Sequence, residues 1–236
     1  MSRTVQFTDK VSVHLMDAAA SDAMVVRAAR VSTKGVRSVE AGESQGLINY
    51  LVRNRHGSPF EHNMFTFLIQ APIVIAREHM RHRAGWSYNE ESGRYKELEP
   101  LFYIPGDARK LLQVGKTGEY KFETGSSELH YETNQILCEA AEDAWDNYQE
   151  LLCEYGVAKE VARFVLTPNL MTSYYATCNA RSLMHFLSLR TEREDAQYVS
   201  KPMAEIAMVA EGMELTFGTL MPKTYSAFCE YGRVAP

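Results

Sequence analysis

The segment from Arg81 to Tyr95, RHRAGWSYNEESGRY, constrains the fold of this chain more than any other. It contains three arginines, one histidine, two adjacent acids, two serines and one asparagine, with almost no aliphatic residue. Burial of its own side chains cannot stabilise such a segment, so it must be an exposed charged loop or a ligand-binding surface. Arginine forks suit phosphates and carboxylates, and guanidinium planes stack on flat rings. Composition alone favours the charged loop, but the neighbouring segments favour binding.

Length and charge limit the class of protein. A chain of 236 residues suits one domain over residues 1–236. The net charge of -5 argues against a general nucleic-acid binder but leaves room for a small anionic ligand. No apolar run approaches the roughly 20 residues that cross a bilayer, so no membrane partner is expected. The first ten residues lack a secretory signal, and the four cysteines show no CxxC spacing, so a cytoplasmic location is predicted.

The hydrophobic pattern predicts mostly helices with a few dispersed strands. Strands are predicted at 4–15 (one or two short ones), 64–70 and 171–178. Helices are predicted from Ser21 to Val31, after Ser44, from Pro72 through Arg83 to a stop at Gly85, from 129 to about 156, and at 158–166, 179–190, about 195–217 and 222–230. Residues 87–95 and 104–127 are predicted as loops. The pattern therefore indicates an α+β fold with a small mixed or antiparallel sheet flanked by helices.

The usual nucleotide and hydrolase motifs are missing from the sequence. There is no GxGxxG after a strand, no GxxxxGK[ST], no GxSxG elbow and no HExxH. If a nucleotide binds, side chains rather than a glycine loop must hold it. Candidates come from residues 53–63, 78–83 and 87–95, and from a later set: Arg163, Asn179, Arg181, His185 and Arg190.

Helical geometry constrains two of these candidate sets. Arg81 and Arg83 would lie about 200° apart on a helix, so they would serve two ligands or two sides of one large ligand. Arg181 and His185 share a helix face, whereas Arg190 lies about 180° from Arg181 on the apolar side. There, Arg190 needs an anionic partner or a bound ligand. The alternative, that it reaches solvent at the helix end or caps carbonyls, stays open from these residues alone.

The histidines admit a different reading. His56, Glu61, His62, His79 and His82 could assemble the metal site of a nucleotide hydrolase. None of these pairs has the i, i+4 spacing of a zinc protease, and the neighbouring arginines would repel a cation. The sequence therefore predicts no metal.

RHRAGWSYNEESGRY resembles the signature of the flavin-dependent thymidylate synthases, in which RHR is followed by a spacer of seven or eight residues and a serine. Here Ser92 follows Arg83 after eight residues. Other family blocks are matched in the expected order by VRAARVS (26–32), HGSPFEH (56–62), APIVIAREHMRHR (71–83), EVARFVL (160–166) and NARSLMHFLSLR (179–190). The resemblance covers most of the chain, except about 104–155 and the last twenty residues.

The resemblance implies a methyltransferase that forms a homotetramer with active sites shared between subunits. Such an enzyme binds FAD and converts dUMP to dTMP, with methylenetetrahydrofolate as carbon donor and NADPH as reductant, and without a cysteine nucleophile. A degenerate homologue that binds these ligands without turnover is the second reading.

The resemblance also implies roles for individual residues. The implied flavin-binding residues are His56 (over the ring, where folate also stacks), Ser58, Arg81, His82, Arg83, Glu90, Asn179, Arg181 and His185. The implied dUMP-binding residues are Glu78, His79, Met80, Arg81, Glu90, Glu91, Ser92, Gly93, Arg94, Arg163 and Arg190. Among them, Ser92 and Arg94 can hold the phosphate. Arg190 corresponds to a catalytic arginine that favours ionisation of the uracil ring at nitrogen 3, because a fixed cation stabilises an anion as it forms.

Three positions depart from the commonest family pattern. The spacer AGW before Ser87 is one residue longer than usual, so the loop is expected to bulge. Glu78 stands where glutamine is frequent, and we expect it to pair with an arginine or to accept from a ring NH or a sugar hydroxyl. His185 stands where asparagine is frequent.

Overall fold

The computed structural model describes residues 4–116 and 120–236. The chain forms two compact units, each assembled from separate stretches of sequence. Within the described residues, the first unit takes 4–10, 71–76 and 91–172, and the second takes 11–70, 77–90 and 173–236. The strands are β1 (Gln6–Thr8), β2 (Ser12–Ala19), β3 (Met64–Pro72), β4 (Trp86–Glu90), β5 (Leu101–Tyr103), β6 (Leu112–Val114), β7 (Lys121–Glu123) and β8 (Met171–Asn179).

Eight α-helices and three short 3-10 turns complete the described part of the chain. The helices are α1 (Asp22–Lys34), α2 (Gln45–Arg53), α3 (Ile73–His79), α4 (Ser127–Cys153), α5 (Lys159–Ala162), α6 (Ala180–Arg190), α7 (Ala204–Leu220) and α8 (Pro222–Glu230). The 3-10 turns are Gly35–Glu40, Ser58–His62 and Arg163–Val165. Among these helices, none is both long enough and apolar enough to cross a membrane.

Serine caps begin the first two helices, as predicted. The side chain of Ser21 accepts a hydrogen bond from the Met24 amide, and Ser44 accepts from the Leu47 amide. Each cap satisfies one of the amides that a helix leaves unpaired at its start.

The second unit contains a four-stranded sheet in the order β2-β3-β8-β4. β2 pairs with β3 antiparallel, and β4 pairs with β8 antiparallel, with Trp86 opposite Cys178 and Glu90 opposite Tyr174. Alternate residues of β3 and β8 are buried, as expected of a strand with one face on the core. α7 packs closely on β2: a Cβ on Gly212 would lie only 2.9 Å from Val13.

A buried carboxylate joins two helix starts in the second unit. Asp22, at the beginning of α1, accepts hydrogen bonds from the amides of Lys223 and Thr224 at 2.8 Å and from the Thr224 hydroxyl at 2.6 Å. The two amides belong to the first turn of α8, where unpaired N–H groups favour an anion.

The first unit has its own hydrophobic core. α4 contributes Ala141, Trp145 and Tyr148, which pack with Phe102 of β5 and Leu170. β1 and β5 form a parallel pair, and β6 and β7 form an antiparallel pair. The predicted α+β class with a small sheet and a long helical part is confirmed, whereas one domain over 1–236 stays a prediction.

Four element predictions were wrong. Residues 86–90 form a strand that takes the first part of the loop predicted at 87–95. The sequence did not indicate it because its pairing partner β8 lies far away along the chain. α3 ends at His79 instead of continuing to Arg83, and α7 begins at Ala204, after Pro202, instead of near 195. Residues 104–127 were predicted as a loop and contain the β6–β7 pair, although 117–119 lie outside the described residues.

The early end of α3 changes the geometry of the arginines. The amides of Arg81 and His82 bond to the carbonyls three residues earlier, which closes the chain into a tight turn. Since neither Arg81 nor Arg83 is helical, the predicted separation of 200° does not apply.

Candidate functional site

A tyrosine on β4 holds the turn that carries the signature triplet. The Tyr88 hydroxyl lies 3.0 Å from the carbonyl oxygen of His79 and 2.8 Å from that of His82. These carbonyls belong to the last residue of α3 and to the turn after it, and the His79 carbonyl also accepts from the His82 amide at 3.0 Å. Burial is the main cause that raises the pKa of Tyr88, so its hydroxyl keeps the proton it donates. The backbone of residues 79–82 is therefore fixed by a side chain outside the triplet.

His79 lies in an aromatic box in the second unit. Its ring stacks on Phe186 at 4.6 Å and meets Trp86 edge-on at 4.9 Å, and its Nδ1 lies 3.0 Å from the Tyr174 hydroxyl. Burial, followed by the charges of His82 and Arg190, lowers the pKa of His79 to about 3. His79 is therefore a neutral, packed side chain, and the dUMP contact that the resemblance implies for it stays a prediction.

Arg190 is held by two groups from α3 and the turn after it. Its Nη1 forms an ion pair with Glu78 at 2.7 Å, and its Nε donates to Nε2 of His82 at 3.2 Å. The side chains of Arg190 and Glu78 are 24% and 25% exposed, so the pair is largely withdrawn from water. The predictions that Arg190 needs an anionic partner and that Glu78 pairs with an arginine are both confirmed.

The protonation of His82 agrees with that hydrogen bond. Burial, followed by the charges of Arg190 and His185, lowers its pKa to about 4. A neutral imidazole leaves Nε2 free to accept from the Arg190 guanidinium. At neutral pH His82 therefore orients Arg190 without adding charge.

A pocket of about 490 Å³ opens at the start of α6 in the second unit. Asn179, Arg181, Ser182 and His185 line it, so the predicted shared face of Arg181 and His185 is confirmed. The Asn179 side chain caps α6 by accepting from the Ser182 amide at 2.8 Å. Arg181 and Ser182 of the first turn line the pocket, so the start of this eleven-residue helix lies at its edge, and helix starts favour anions.

Gly85 allows the turn before β4 to approach α6. Its φ is +71°, and a Cβ there would lie 2.2 Å from the Ser182 hydroxyl and 2.7 Å from the Asn179 side-chain nitrogen. The Ser182 hydroxyl instead donates to the Ala84 carbonyl at 2.8 Å. Gly85 lies in the AGW spacer that is one residue longer than usual. The spacer was expected to bulge, and the pairing of β4 with β8 that follows it has no register shift.

Arg181 borders the same pocket in a fixed orientation. Its Nη1 pairs with Glu61 at 2.6 Å, and its Nε donates to the Pro236 carbonyl at 2.6 Å. A guanidinium, a helix start and an amide side chain together suit a diphosphate or a similar anion, whereas the Ser182 hydroxyl already donates to Ala84. The pocket thus fits the phosphate part of a dinucleotide cofactor held without a glycine-rich loop.

The first unit holds a second arginine cluster. Arg94 pairs with the Glu160 carboxylate at 2.9 Å, and Arg163 donates to the Glu160 carbonyl at 3.4 Å. The Ser92 hydroxyl accepts from the Arg94 amide at 3.3 Å. A Cβ on Gly93 would lie 3.3 Å from Arg163, so this glycine permits the close approach. Ser92, Gly93, Arg94 and Arg163 are thereby brought together, as expected of a phosphate-binding group.

The remaining predicted residues are more scattered. Arg81 and Arg83 are exposed, and Met80 is half-buried beside them in the turn after α3. His56 and Ser58 are exposed around the start of a 3-10 turn, and the His56 ring meets Tyr50 edge-on at 5.5 Å. Glu91 pairs with Lys96 at 2.6 Å, and the charge of Glu90 adds to the burial that raises the pKa of Tyr174.

Sequence reasoning missed several residues at these sites. Tyr88 could have been found by reading 86–90 as an alternating strand. Glu160 and Ser182 lie at ordinary helical positions, so no pattern in the sequence marked them as site residues. Ala235 and Pro236, which also line the pocket, gave no sequence signal at all.

The geometry also bears on metal and thiol chemistry. Across residues 4–116 and 120–236, no three His, Cys, Asp or Glu side chains are placed to hold a metal ion. Cys178, the cysteine next to Asn179, is buried, and burial raises its pKa well above the usual range. A thiol in that state is a poor nucleophile.

Comparison with known proteins places the chain among related sequences. A protein-family model described as thymidylate synthase complementing protein matches residues 14–223. A flavin-dependent thymidylate synthase of Streptomyces avermitilis is 54% identical over 98% of this chain and 95% of its own length. One of Tropheryma whipplei is 49% identical over 98% and 97%. The crystal structure of a UMP/dUMP methylase, PolB, from Streptomyces cacaoi bound with 5-Br dUMP superposes with a TM-score of 0.93 at 50% identity, covering 98% of this chain and all of that one.

Proposed function

The chain belongs to the flavin-dependent thymidylate synthase family, and on that basis we propose that it methylates dUMP to dTMP. It is a methyltransferase that uses a flavin. The finer assignments, which the sequence resemblance supplied, are FAD as the flavin, methylenetetrahydrofolate as carbon donor, NADPH as reductant and no cysteine nucleophile. The observation that carries the proposal is the hydrogen-bonded group of Glu78, His82 and Arg190 at the signature turn.

The flavin is proposed to bind with its diphosphate at the start of α6. Arg181, Asn179, Ser182 and His185 would hold it there, and Arg81, His82 and Arg83 would contact it from the turn after α3. The bound flavin supplies the hydride that reduces the transferred one-carbon unit. Supporting this assignment, the pocket offers donors and a helix start while one edge of Arg181 is already fixed by protein acceptors.

Arg190 is proposed to make the uracil ring reactive. A guanidinium next to nitrogen 3 lowers the pKa of that ring position and stabilises the anion as it forms. His82 holds the Arg190 Nε, and Glu78 balances the positive charge until a nucleotide arrives. Since the Glu78–Arg190 pair is largely withdrawn from water, its electrostatic effect is stronger than at an open surface.

The nucleotide phosphate is proposed to bind Ser92, Arg94 and Arg163. The Arg94 guanidinium forms an ion pair with Glu160. Both side chains are about half exposed, so a doubly charged phosphate can compete with Glu160 for Arg94. We further propose one catalytic domain over residues 1–236, a homotetramer with shared active sites, a cytoplasmic location, and neither nucleic acid nor membrane as partner.

One set of measurements tests the proposal. Purified protein should be yellow, should bleach when NADPH is added without oxygen, and should form dTMP from dUMP when methylenetetrahydrofolate is present. UMP should be assayed beside dUMP, because the solved relative from Streptomyces cacaoi is a methylase of both. Colourless protein with stoichiometric zinc would favour a hydrolase, and yellow protein that binds dUMP without making dTMP would favour a degenerate homologue.

A further inference from the structure

We propose that residues 231–236, here called the wall segment, form a wall of the flavin pocket and orient Arg181 toward the bound diphosphate. This inference rests on the proposed function. The wall segment follows α8 and lies outside the residues 14–223 that the family model matches. Its residues Ala235 and Pro236 nevertheless line the pocket at the start of α6.

The beginning of the wall segment is anchored by a buried arginine. Arg233 is 4% exposed, pairs with Glu214 at 2.6 Å and donates to the Thr191 hydroxyl at 3.1 Å. Its guanidinium also lies 4.9 Å from the centre of the Phe228 ring. A buried ion pair of this kind adds little stability, but breaking it is costly, so it fixes one conformation of the backbone that carries it.

A second arginine holds the middle of the wall segment. Arg55 donates from Nη1 to the Val234 carbonyl at 2.6 Å and to the Ala235 carbonyl at 3.4 Å. Arg55 and Arg233, with φ of 60° and 56°, are the only non-glycine residues with positive φ in the part of the chain that the structure describes. Such conformations cost free energy and persist where the surroundings impose them, frequently at functional sites. Here Arg233 belongs to the wall segment and Arg55 binds its backbone, so both strained residues hold the same six residues.

The end of the wall segment contacts the pocket arginine directly. The Pro236 carbonyl accepts from the Arg181 Nε, and Pro236 is buried. Gly57 makes room for this contact, because a Cβ there would lie 2.4 Å from the Arg181 Nε and 2.7 Å from the Pro236 oxygen. With Nε bound to Pro236 and Nη1 bound to Glu61, the guanidinium plane cannot turn freely. It is therefore set in advance for an anionic ligand, which lowers the entropy lost on binding.

The ligand class follows from this geometry. The pocket joins the start of α6 with an oriented guanidinium, which suits a diphosphate, and the wall segment adds backbone and proline surface suited to the adjoining part of a dinucleotide. The segment thus acts as a binding element that positions Arg181, and it takes no part in the chemical step.

The test combines hydrogen exchange with two matched pairs of variants. Arg55→Asn removes the guanidinium, and asparagine tolerates a φ near 60°. Its control, Arg37→Asn, removes the same charge from an exposed site in the 3-10 turn Gly35–Glu40. Gly57→Ala places a methyl group against Arg181 and Pro236, whereas in its control, Gly46→Ala on α2, nothing lies within 4 Å of the new Cβ.

In the wild type, FAD should slow amide hydrogen exchange within 231–236. We expect Arg55→Asn to raise the FAD dissociation constant roughly five- to tenfold, as one of several tethers is lost, and Gly57→Ala to raise it at least as much. Both controls should stay within about twofold of the wild type, an effect well under 1.4 kcal/mol. Melting temperatures of the flavin-free proteins would show whether any variant has lost its fold.

The outcomes separate this inference from the proposed function. If the wild type binds FAD but exchange in the wall segment is unchanged, and Arg55→Asn binds FAD as the wild type does, the wall segment has no role in the pocket. A wild type that binds no FAD at all would overturn the proposed function and this inference with it.

Discussion

The hydroxyl of Tyr88 offers a direct measure of how much the signature turn depends on β4. Tyr88→Phe removes one oxygen and keeps the ring, which stacks on Trp86 at 5.7 Å and meets His79 edge-on at 5.3 Å. Because this packing is retained, the variant isolates the hydrogen bonds to the His79 and His82 carbonyls. It changes neither the charge nor the side chains of the triplet.

The size of the expected loss in stability follows from the hydrogen bonds that Tyr88→Phe removes. One hydroxyl proton is shared between two carbonyls, so about one hydrogen bond is lost. The His79 carbonyl still accepts from the His82 amide, so the loss falls mainly on the His82 carbonyl. An unsatisfied group of this kind costs about 1–3 kcal/mol. We expect the free energy of unfolding to fall by about 1–2 kcal/mol. If ligand binding must order the loosened turn again, the FAD dissociation constant should rise by up to about tenfold, which corresponds to 1.4 kcal/mol.

Urea unfolding of the flavin-free protein and titration with FAD measure the two effects separately. Tyr174→Phe is the matched control, because that hydroxyl also contacts His79, but through the ring nitrogen at 3.0 Å and not through the backbone. The control should lose stability and keep its affinity for FAD. Equal FAD affinities in the two variants, both matching the wild type, would refute the reasoning.

Three further predictions concern charge and protonation. Arg190→Ala should lower dTMP formation far more than flavin content, and unchanged turnover would contradict its role. Ser92→Ala should weaken dUMP binding, since a hydrogen bond to a charged phosphate contributes about 1.5–3 kcal/mol, and an unaltered dUMP dissociation constant would count against this. Because the folded protein keeps His79 and His82 neutral, with pKa values of about 3 and about 4, the unfolded chain takes up protons first as the pH falls below 6.5. Stability should therefore decrease from about pH 7 to about pH 5, by about 2 kcal/mol from fully buried His79 alone, and unfolding free energies that stay constant over this range would exclude that account.

Local signals in the sequence predicted much of the fold, whereas distant contacts escaped it. The caps at Ser21 and Ser44 depend on the next three residues, so they could be read directly. The strand at 86–90 exists because β8 pairs with it, and no pattern within WSYNE specifies that partner. The end of α3 depends partly on Tyr88, nine residues after His79.

The candidate site also contains features that local sequence predicted and features that it did not. Helix geometry placed Arg190 on the apolar side of α6, and burial physics required a partner that Glu78 supplies. The individual binding roles came from the family resemblance and stay predictions. Ala235 and Pro236 could not be anticipated, because a pocket wall made of backbone and small side chains leaves no mark in a sequence.

Strand β4 ties the length of the AGW spacer to the face on which its side chains appear. In a strand, successive residues point to opposite faces, so a shift of one position would carry the Tyr88 hydroxyl away from α3 and bring Ser87 or Asn89 to its place. Residues can be added to or removed from this spacer only if the glycine turn at 84–85 absorbs the change before the strand begins. Counting residues between RHR and the serine is therefore insufficient for aligning distant members. An alignment must also keep each residue on the correct face of the strand, because that face determines which side chain supports the turn that carries the arginines.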